Sequence, residues 1–288
     1  MWQNSKPYLF LLPAITMIFV LFVMGLGEGI SQSLGVYSST DKLHFAYYVQ
    51  LWSDPNTWSS LKFTFKIAFL STLSSGILGL ILSVVLLRTS DQTPLLFKTL
   101  QLPLLLPHFI GAYFIVLLCM QSGFLARIAY LLGFISDPSQ FPILVNDHWG
   151  LGIILTYIWK ETPFIAWMLY PVLKRIQNTW WDAARLSGAN RFQYMREIVL
   201  PLVFPTWLTS CFIVFAFTFS AFEIPYLLGV SYPQALPVLS YELFTSGDWE
   251  KRSLALALSL SIAFITGILG FFTYILGKRI RTQKGVGW

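Results

Sequence analysis

Charge is scarce in this sequence. Asp, Glu, Lys and Arg make up 11% of its 288 residues, while 56% are hydrophobic. An ordinary soluble domain carries about 25% charged residues, so the composition excludes that class and points to a multi-span membrane protein. Cysteine is nearly missing: Cys119 and Cys211 both lie inside apolar runs. That placement suits buried thiols acting as small hydrophobes and excludes a disulfide framework or a zinc spacing. His44, His108 and His148 are scattered, and no H-E-x-x-H sequence is present to hold a catalytic metal. A phosphate-binding G-x-x-x-x-G-K-[ST] sequence is also absent, because Gly277 and Lys278 are followed by Arg279. Nucleotide binding of that kind is therefore excluded. Low-complexity tracts, strong internal repeats and segments large enough for a separate extramembrane domain are lacking too.

What the chain has in abundance is apolar length. A spanning helix needs about 20 predominantly apolar residues, and six stretches meet that need: about 8–30, 63–87, 99–121, 150–173, 202–229 and 253–277. The first follows Lys6, but its apolar run is too long for a signal-peptide core and no small-residue cleavage site follows. It reads as a retained span. Only helices and closed barrels cross a bilayer, so the expected fold is one all-α membrane domain over 1–288 with six transmembrane helices.

The formal charge of +6 is spread by topology and gives no nucleic-acid patch. With the N-terminus cytoplasmic, Lys6, Arg88, Lys98, Lys174, Arg175, Arg185, Arg191, Arg196, Lys278, Arg279, Arg281 and Lys284 fall inside. Lys42, Lys62, Arg127, Lys251 and Arg252 fall outside. This bias sets both termini on the cytoplasmic side. Trp52, Trp58, Tyr47 and Tyr48 in the first outer connection suit an interfacial aromatic belt, and a short helix is expected near Phe124–Gly133.

Between the fourth and fifth spans lies a polar, basic cytoplasmic stretch, WWDAARLSGANRFQYMREIVLPLVFP, running from Trp180 to Pro205. Thr179 with Asp182 three residues later predicts a capped helix start, and there Asp182 would favour the positive end of the helix dipole. Gly188 predicts the stop. Asn190 with Gln193 predicts a second start, and Phe192, Met195 and Val199 keep helical spacing until Pro201 breaks the run. Two short helices joined at a glycine form a docking knob.

Read with its spacing, this stretch resembles the EAA motif of permease subunits in binding-protein-dependent ABC importers, the MetI-like family. Asp182, Ala183 and Ala184 stand where the motif has Glu-Ala-Ala. Gly188, Ala189, Phe192, Ile198, Leu200 and Pro201 continue it in register, and the leading acid is one methylene shorter than the family's. The resemblance covers nearly the whole chain. It implies that this element, the coupling helix, docks on a separate ATP-hydrolysing subunit, with Asp182, Ala183, Ala184, Arg185, Gly188, Ala189, Asn190 and Phe192 at the contact. It implies two copies of that ATPase, a second and non-identical permease, and an extracytoplasmic solute-binding protein. ATP and Mg would be bound by the ATPase, leaving this chain with no cofactor and no enzymatic activity. The flanking phrases LVNDHWGLGIILTYIWKETPF and FAFTFSAFEIPYLLG resemble the polyamine, ferric-iron, thiamine and aminophosphonate branch, with a spermidine/putrescine-type system first.

Charged residues inside spans are costly and usually functional. Lys160 and Glu161 sit together in the fourth span. They read equally as a cavity-lining or gating pair and as a polar knot around a kink at Pro163. Glu223, beside Phe219 and Phe222 near the outer end of the fifth span, reads as part of the solute path or its gate, or as a carboxylate paired with a loop lysine. His108 reads as a packing residue in the third span. The rival class is an ATP-independent secondary transporter, but its usual inverted repeats and paired broken helices are not evident. An intramembrane enzyme has no cluster to support it.

Overall fold

The computed structural model describes residues 6–36, 43–89 and 98–283; Lys42 and Lys284 lie outside them. All regular structure among the described residues is helical. In chain order it comprises α1 (Lys6–Ser33), α2 (Ala46–Ser53), α3 (Pro55–Thr89), α4 (Leu102–Leu105), α5 (His108–Cys119), α6 (Phe124–Leu131) and α7 (Leu151–Leu186). After a turn come α8 (Arg191–Gln193), a π-helix over Tyr194–Val199, α9 (Leu200–Ser220), α10 (Glu223–Leu228), α11 (Leu236–Thr245) and α12 (Trp249–Gln283). Among the described residues, five stretches are long and apolar enough to cross a membrane: Phe10–Ser33, Pro55–Leu87, His108–Leu131 (α5 and α6 with the turn between them), Arg191–Ser220 and Trp249–Arg279. Helix α7 has the length but carries Lys160 and Glu161 in its apolar half.

Contacts divide the chain into two units, Met1–Trp58 with Leu239–Ser261 and Ser59–Val238 with Ile262–Trp288. In the first, Ser33 and Tyr48 share a hydroxyl hydrogen bond of 3.0 Å, and Trp58 donates its indole N–H to Trp52 O over 2.8 Å. Ser240 donates to Ala255 O at 3.0 Å and lies 2.7 Å from the Ser259 hydroxyl, which ties the start of α12 to α11. The apolar body of α1 is exposed, with Phe10, Ile18 and Phe22 prominent.

In the second unit α7 is the spine. Its buried residues recur at three- and four-residue intervals, Ile153, Tyr157, Glu161, Ile165, Leu169, Leu173 and Ile176, the period of one helical face. Ile153, Ile154 and Tyr157 join a core with Phe63, Ile67, Ala112, Ile224 and Leu228. Ile165, Leu169, Leu173, Ile176 and Ala184 join another with Tyr194, Val199, Val203 and Val214. Lys160 and Glu161 lie between these two cores. Close helix approach is made possible by Gly79, where a Cβ would meet the Ile165 side chain at 2.7 Å.

Four sequence expectations need correction. The stretch 99–121 is not one helix: Leu106 is extended (φ −81°, ψ 132°) between α4 and α5, as the residue before Pro107 must tend to be. The stretch 202–229 also breaks, at Ala221 (ψ 136°) after α9. No helix starts at Thr179, because α7 runs unbroken through it; nothing between Val172 and Leu186 stops a helix, and the buried face continues to Ala184. Pro201 breaks nothing. It sits in the first turn of α9, directly after the π-helix, whose wider turn relieves the clash of a proline ring with the carbonyl four residues back. The expected short helix near Phe124 is present as α6.

Candidate functional site

The end of α7 is closed by a full set of turn hydrogen bonds. Ser187 donates to Ala183 O at 3.1 Å, Gly188 to Arg185 O at 3.0 Å and Ala189 to Ala184 O at 3.0 Å. The last two bonds form the Schellman pattern, which needs a left-handed residue just past the helix; Gly188 supplies it with φ +79°. Two residues on, Asn190 accepts from Gln193 N at 2.8 Å and donates its own N–H to Gln193 Oε1 at 2.9 Å. This reciprocal capping box fixes the start of α8. Trp181 meets Tyr194 edge-on at 4.9 Å, so the helices before and after the turn also hold each other by packing. Ala184 is buried here, whereas Asp182, Ala183, Arg185 and Asn190 are exposed. At the tip, Leu186 is 90% and Phe192 70% exposed, although both are large and apolar. Asp182 lies in the last turns of α7 and not in the first turn of a helix. It therefore faces the negative end of the dipole.

A second polar arrangement sits midway along α7. Lys160 Nζ donates to Pro103 O at 2.8 Å and to Leu106 O. Pro103 lies in α4 and Leu106 in the break that follows it. Pro107 has no N–H to offer the carbonyl four residues back, which is Pro103, and the Lys160 ammonium takes that place. Glu161 Oε1 lies 3.3 Å from His108 Nε2 at the first position of α5. The adjacent charges thus grip both sides of the Pro107 break, a polar knot at Pro107 and not at Pro163. Lys160 and Glu161 are 2% and 7% exposed. Gly111 makes room for the lysine stem, since a Cβ there would lie 3.1 Å from Lys160 Cδ. Beside the pair is a cavity of about 410 Å³ lined by Leu104, His108, Lys160, Glu161, Phe164, Ile213, Val214 and Phe217.

Residues 55–282 match the family described as "Binding-protein-dependent transport system inner membrane component". The chain belongs to this family. It is 27% identical over 165 residues to the sulfate transport system permease protein CysT of Salmonella typhimurium, a match covering 57% of this chain and 56% of that one. To the trehalose/maltose transport system permease protein MalF of Thermococcus litoralis it is 24% identical, over 90% of this chain and 92% of the relative. With the spermidine/putrescine transport system permease protein PotB of Haemophilus influenzae it shares 25% identity, over 66% and 64%. Among solved structures, a chain of a bacterial alginate ABC transporter superposes with a TM-score of 0.78 at 19% identity, covering 97% and 98%. The fold is thus that of ABC transporter permeases.

Phe219, Phe222 and Glu223, the other residues expected along a solute path, are not among those lining the cavity beside Lys160 and Glu161 in this permease. Phe219 is fully buried and stacks on Phe215 at 5.7 Å. Phe222 packs on Tyr226 at 4.8 Å. Glu223 opens α10 and is exposed. The ring lining the cavity on α9 is Phe217, which lies 4.6 Å from the His108 ring. The sequence reading missed Asp147. Its buried carboxylate accepts from the N–H groups of Trp149 (3.1 Å), Leu151 (2.8 Å) and Gly152 (3.3 Å). It holds the start of α7, satisfying donors that a helix N-terminus leaves open. An aspartate four residues before an apolar helix, with Gly150 between, was the available signal.

Proposed function

We propose that this permease forms part of the solute pathway of an ATP-driven importer and is coupled to a separate ATPase through the turn from Asp182 to Phe192. The observation that carries the reading is the turn itself. It is locked on one side by the Schellman bonds at Gly188 and on the other by the Asn190–Gln193 capping box, yet it exposes Leu186 and Phe192 at its tip. A rigid element with exposed apolar residues and flanking Arg185 and Arg191 suits docking into a partner groove. Asp182 supports it as well: at the negative end of the α7 dipole it does not help its own helix, so a partner's donors give it a reason to be there.

In this reading α7 also crosses the membrane, fourth in chain order, which brings the spans to six, and the charge bias sets the turn and both termini on the cytoplasmic side. Two copies of an ATPase, a second non-identical permease and an extracytoplasmic solute-binding protein complete the assembly. The solute is small and polar or charged, a spermidine/putrescine-type polyamine first, with ferric iron, thiamine or an aminophosphonate as alternatives. Among the relatives, names covering sulfate, trehalose/maltose and spermidine/putrescine leave the solute to be measured. The test is co-purification of the permease with a candidate ABC ATPase subunit, combined with ATP-driven uptake in proteoliposomes. Association lost in Asp182→Lys would support the docking turn. Uptake by the purified permease alone, without ATP, would overturn it in favour of a secondary transporter.

A further inference from the structure

Along α3, Lys62, Lys66, Leu70, Leu73 and Ile77 follow one another at spacings of three or four, which stacks them on one side of the helix. All reach the surface: Lys66 is half-buried, and Lys62, Leu70, Leu73 and Ile77 are exposed. We propose that this face binds one phospholipid, with its phosphate at Lys62 and Lys66 beside Trp149 and an acyl chain along Leu70, Leu73 and Ile77. Lys66 carries the argument. Its ammonium lies 5.2 Å from the Phe63 ring and 5.1 Å from the Trp149 ring, so cation–π attraction holds it in place. Yet it takes part in no hydrogen bond or ion pair among the described residues. Asp147, the carboxylate at the adjoining start of α7, turns Oδ1 to Gly152 N–H and Oδ2 to the N–H groups of Trp149 and Leu151. The ammonium donors are thus positioned with no acceptor from the chain, and a charge at the edge of a bilayer is costly without one.

The depth of the lysine identifies the partner. From Ile67 to Leu87 α3 carries no charge, and Arg88 follows. At 1.5 Å per residue that run is about 30 Å long, the thickness of a bilayer's hydrocarbon core. Lys66 therefore stands where the lipid phosphates begin, with Lys62 one turn further out. From Lys66 to Ile77 the face covers about 16 Å, roughly the depth of one leaflet. Trp149 is 69% exposed at the same end, and an indole favours this headgroup zone. Water would serve Lys66 but not the aliphatic row beneath it, and an acidic protein surface would do the same. A phospholipid serves both. Every leaflet offers phosphate, so the inference needs neither the docking turn nor the orientation of the chain.

The experiment is native mass spectrometry of the purified full-length chain, released from detergent and titrated with phosphatidylglycerol, dioleoylglycerol and glycerol 3-phosphate. Phosphatidylglycerol is expected to bind. Dioleoylglycerol lacks the phosphate and glycerol 3-phosphate lacks the chains, so each should bind on the order of tenfold more weakly. Lys62→Met combined with Lys66→Met should weaken phosphatidylglycerol on the order of tenfold. Lys66→Arg, whose guanidinium also donates to phosphate, should retain it, and Lys251→Met on α12 should change nothing. Four results would each overturn the proposal: unchanged binding in the double variant, an equal loss in Lys251→Met, dioleoylglycerol as tight as the phospholipid, or glycerol 3-phosphate competing on equal terms. Thermal melting of each variant separates loss of the site from loss of the fold, and retention in Lys66→Arg shows that the cation is what binds. No ATPase enters the measurement, so failure here is separate from failure of docking at Asp182.

Discussion

Lys160 Nζ stands 2.8 Å from Pro103 O, the carbonyl that Pro107 leaves without a helical donor. Two residues 57 positions apart therefore complete one backbone hydrogen-bonding position. A helix may be interrupted inside a membrane only where the protein itself supplies the missing partners, and here α7 supplies them with a buried cation. Replacing Lys160 by Met removes both bonds and leaves Glu161 buried without its neighbouring cation. Loss of one member of such a buried set costs about 3–5 kcal/mol. Unfolding of the purified variant by SDS titration should show a loss of that size, whereas Lys62→Met on α3 should be near neutral. A Lys160→Met protein as stable as the parent would mean that the break does not depend on the lysine.

Asp147 offers a second test, at the other end of the same helix. Its carboxylate holds three N–H groups at the start of α7, and charge-assisted hydrogen bonds contribute about 1.5–3 kcal/mol. Asp147→Ala should destabilise the protein by about 2–3 kcal/mol, with faster amide exchange confined to the first turn of α7. Asp147→Asn should fall between the two. Exchange that changes equally along the whole of α7 would show that the carboxylate is not a local anchor.

Much of this architecture was open to a reader of the sequence. Apolar length located the long helices, and the Asn190–Gln193 spacing located a real capping box, because both signals are local. The failures share a cause: a proline's effect depends on what surrounds it. Pro163, Pro171 and Pro205 lie inside continuous helices, while Pro107 ends one. The difference at Pro107 is a partner on another helix, which no local pattern announces. Asp182 was misplaced for a related reason. Thr179 and Asp182 have the spacing of a helix start, but the packing of Leu173, Ile176 and Ala184 carries α7 straight through.

Asn190 separates the local turn from its docking role. Asn190→Ala removes the side-chain acceptor for Gln193 N, and loss of such a cap costs about 1 kcal/mol. Because the contact lies at the protein surface, global stability should move little, while amide exchange over 191–196 should quicken. Asn190→Asp, which keeps an acceptor, should restore the parental exchange. Unaltered exchange in Asn190→Ala would show that packing of Trp181 on Tyr194 alone holds the turn.

Gly188 provides the sharpest separation between a folded permease and a coupled one. Its φ of +79° is a conformation that a side chain resists, yet a Cβ placed there would meet nothing within 4 Å. The cost of substitution is therefore conformational, about 1–2 kcal/mol for an ordinary L-residue and worse for a β-branched one. Such a cost is too small to unfold the whole chain but large enough to reorient α8 about the end of α7, moving Phe192 relative to Leu186. Gly188→Val should insert in the membrane at parental levels, hydrolyse ATP in complex with its partner and fail to couple hydrolysis to uptake. Gly188→Asn, whose side chain tolerates the left-handed region, should retain most coupling. The measurement is the ratio of solute taken up to ATP hydrolysed in proteoliposomes. A Gly188→Val complex with the parental ratio would show that the angle between the two helices is not what transmits the ATPase motion.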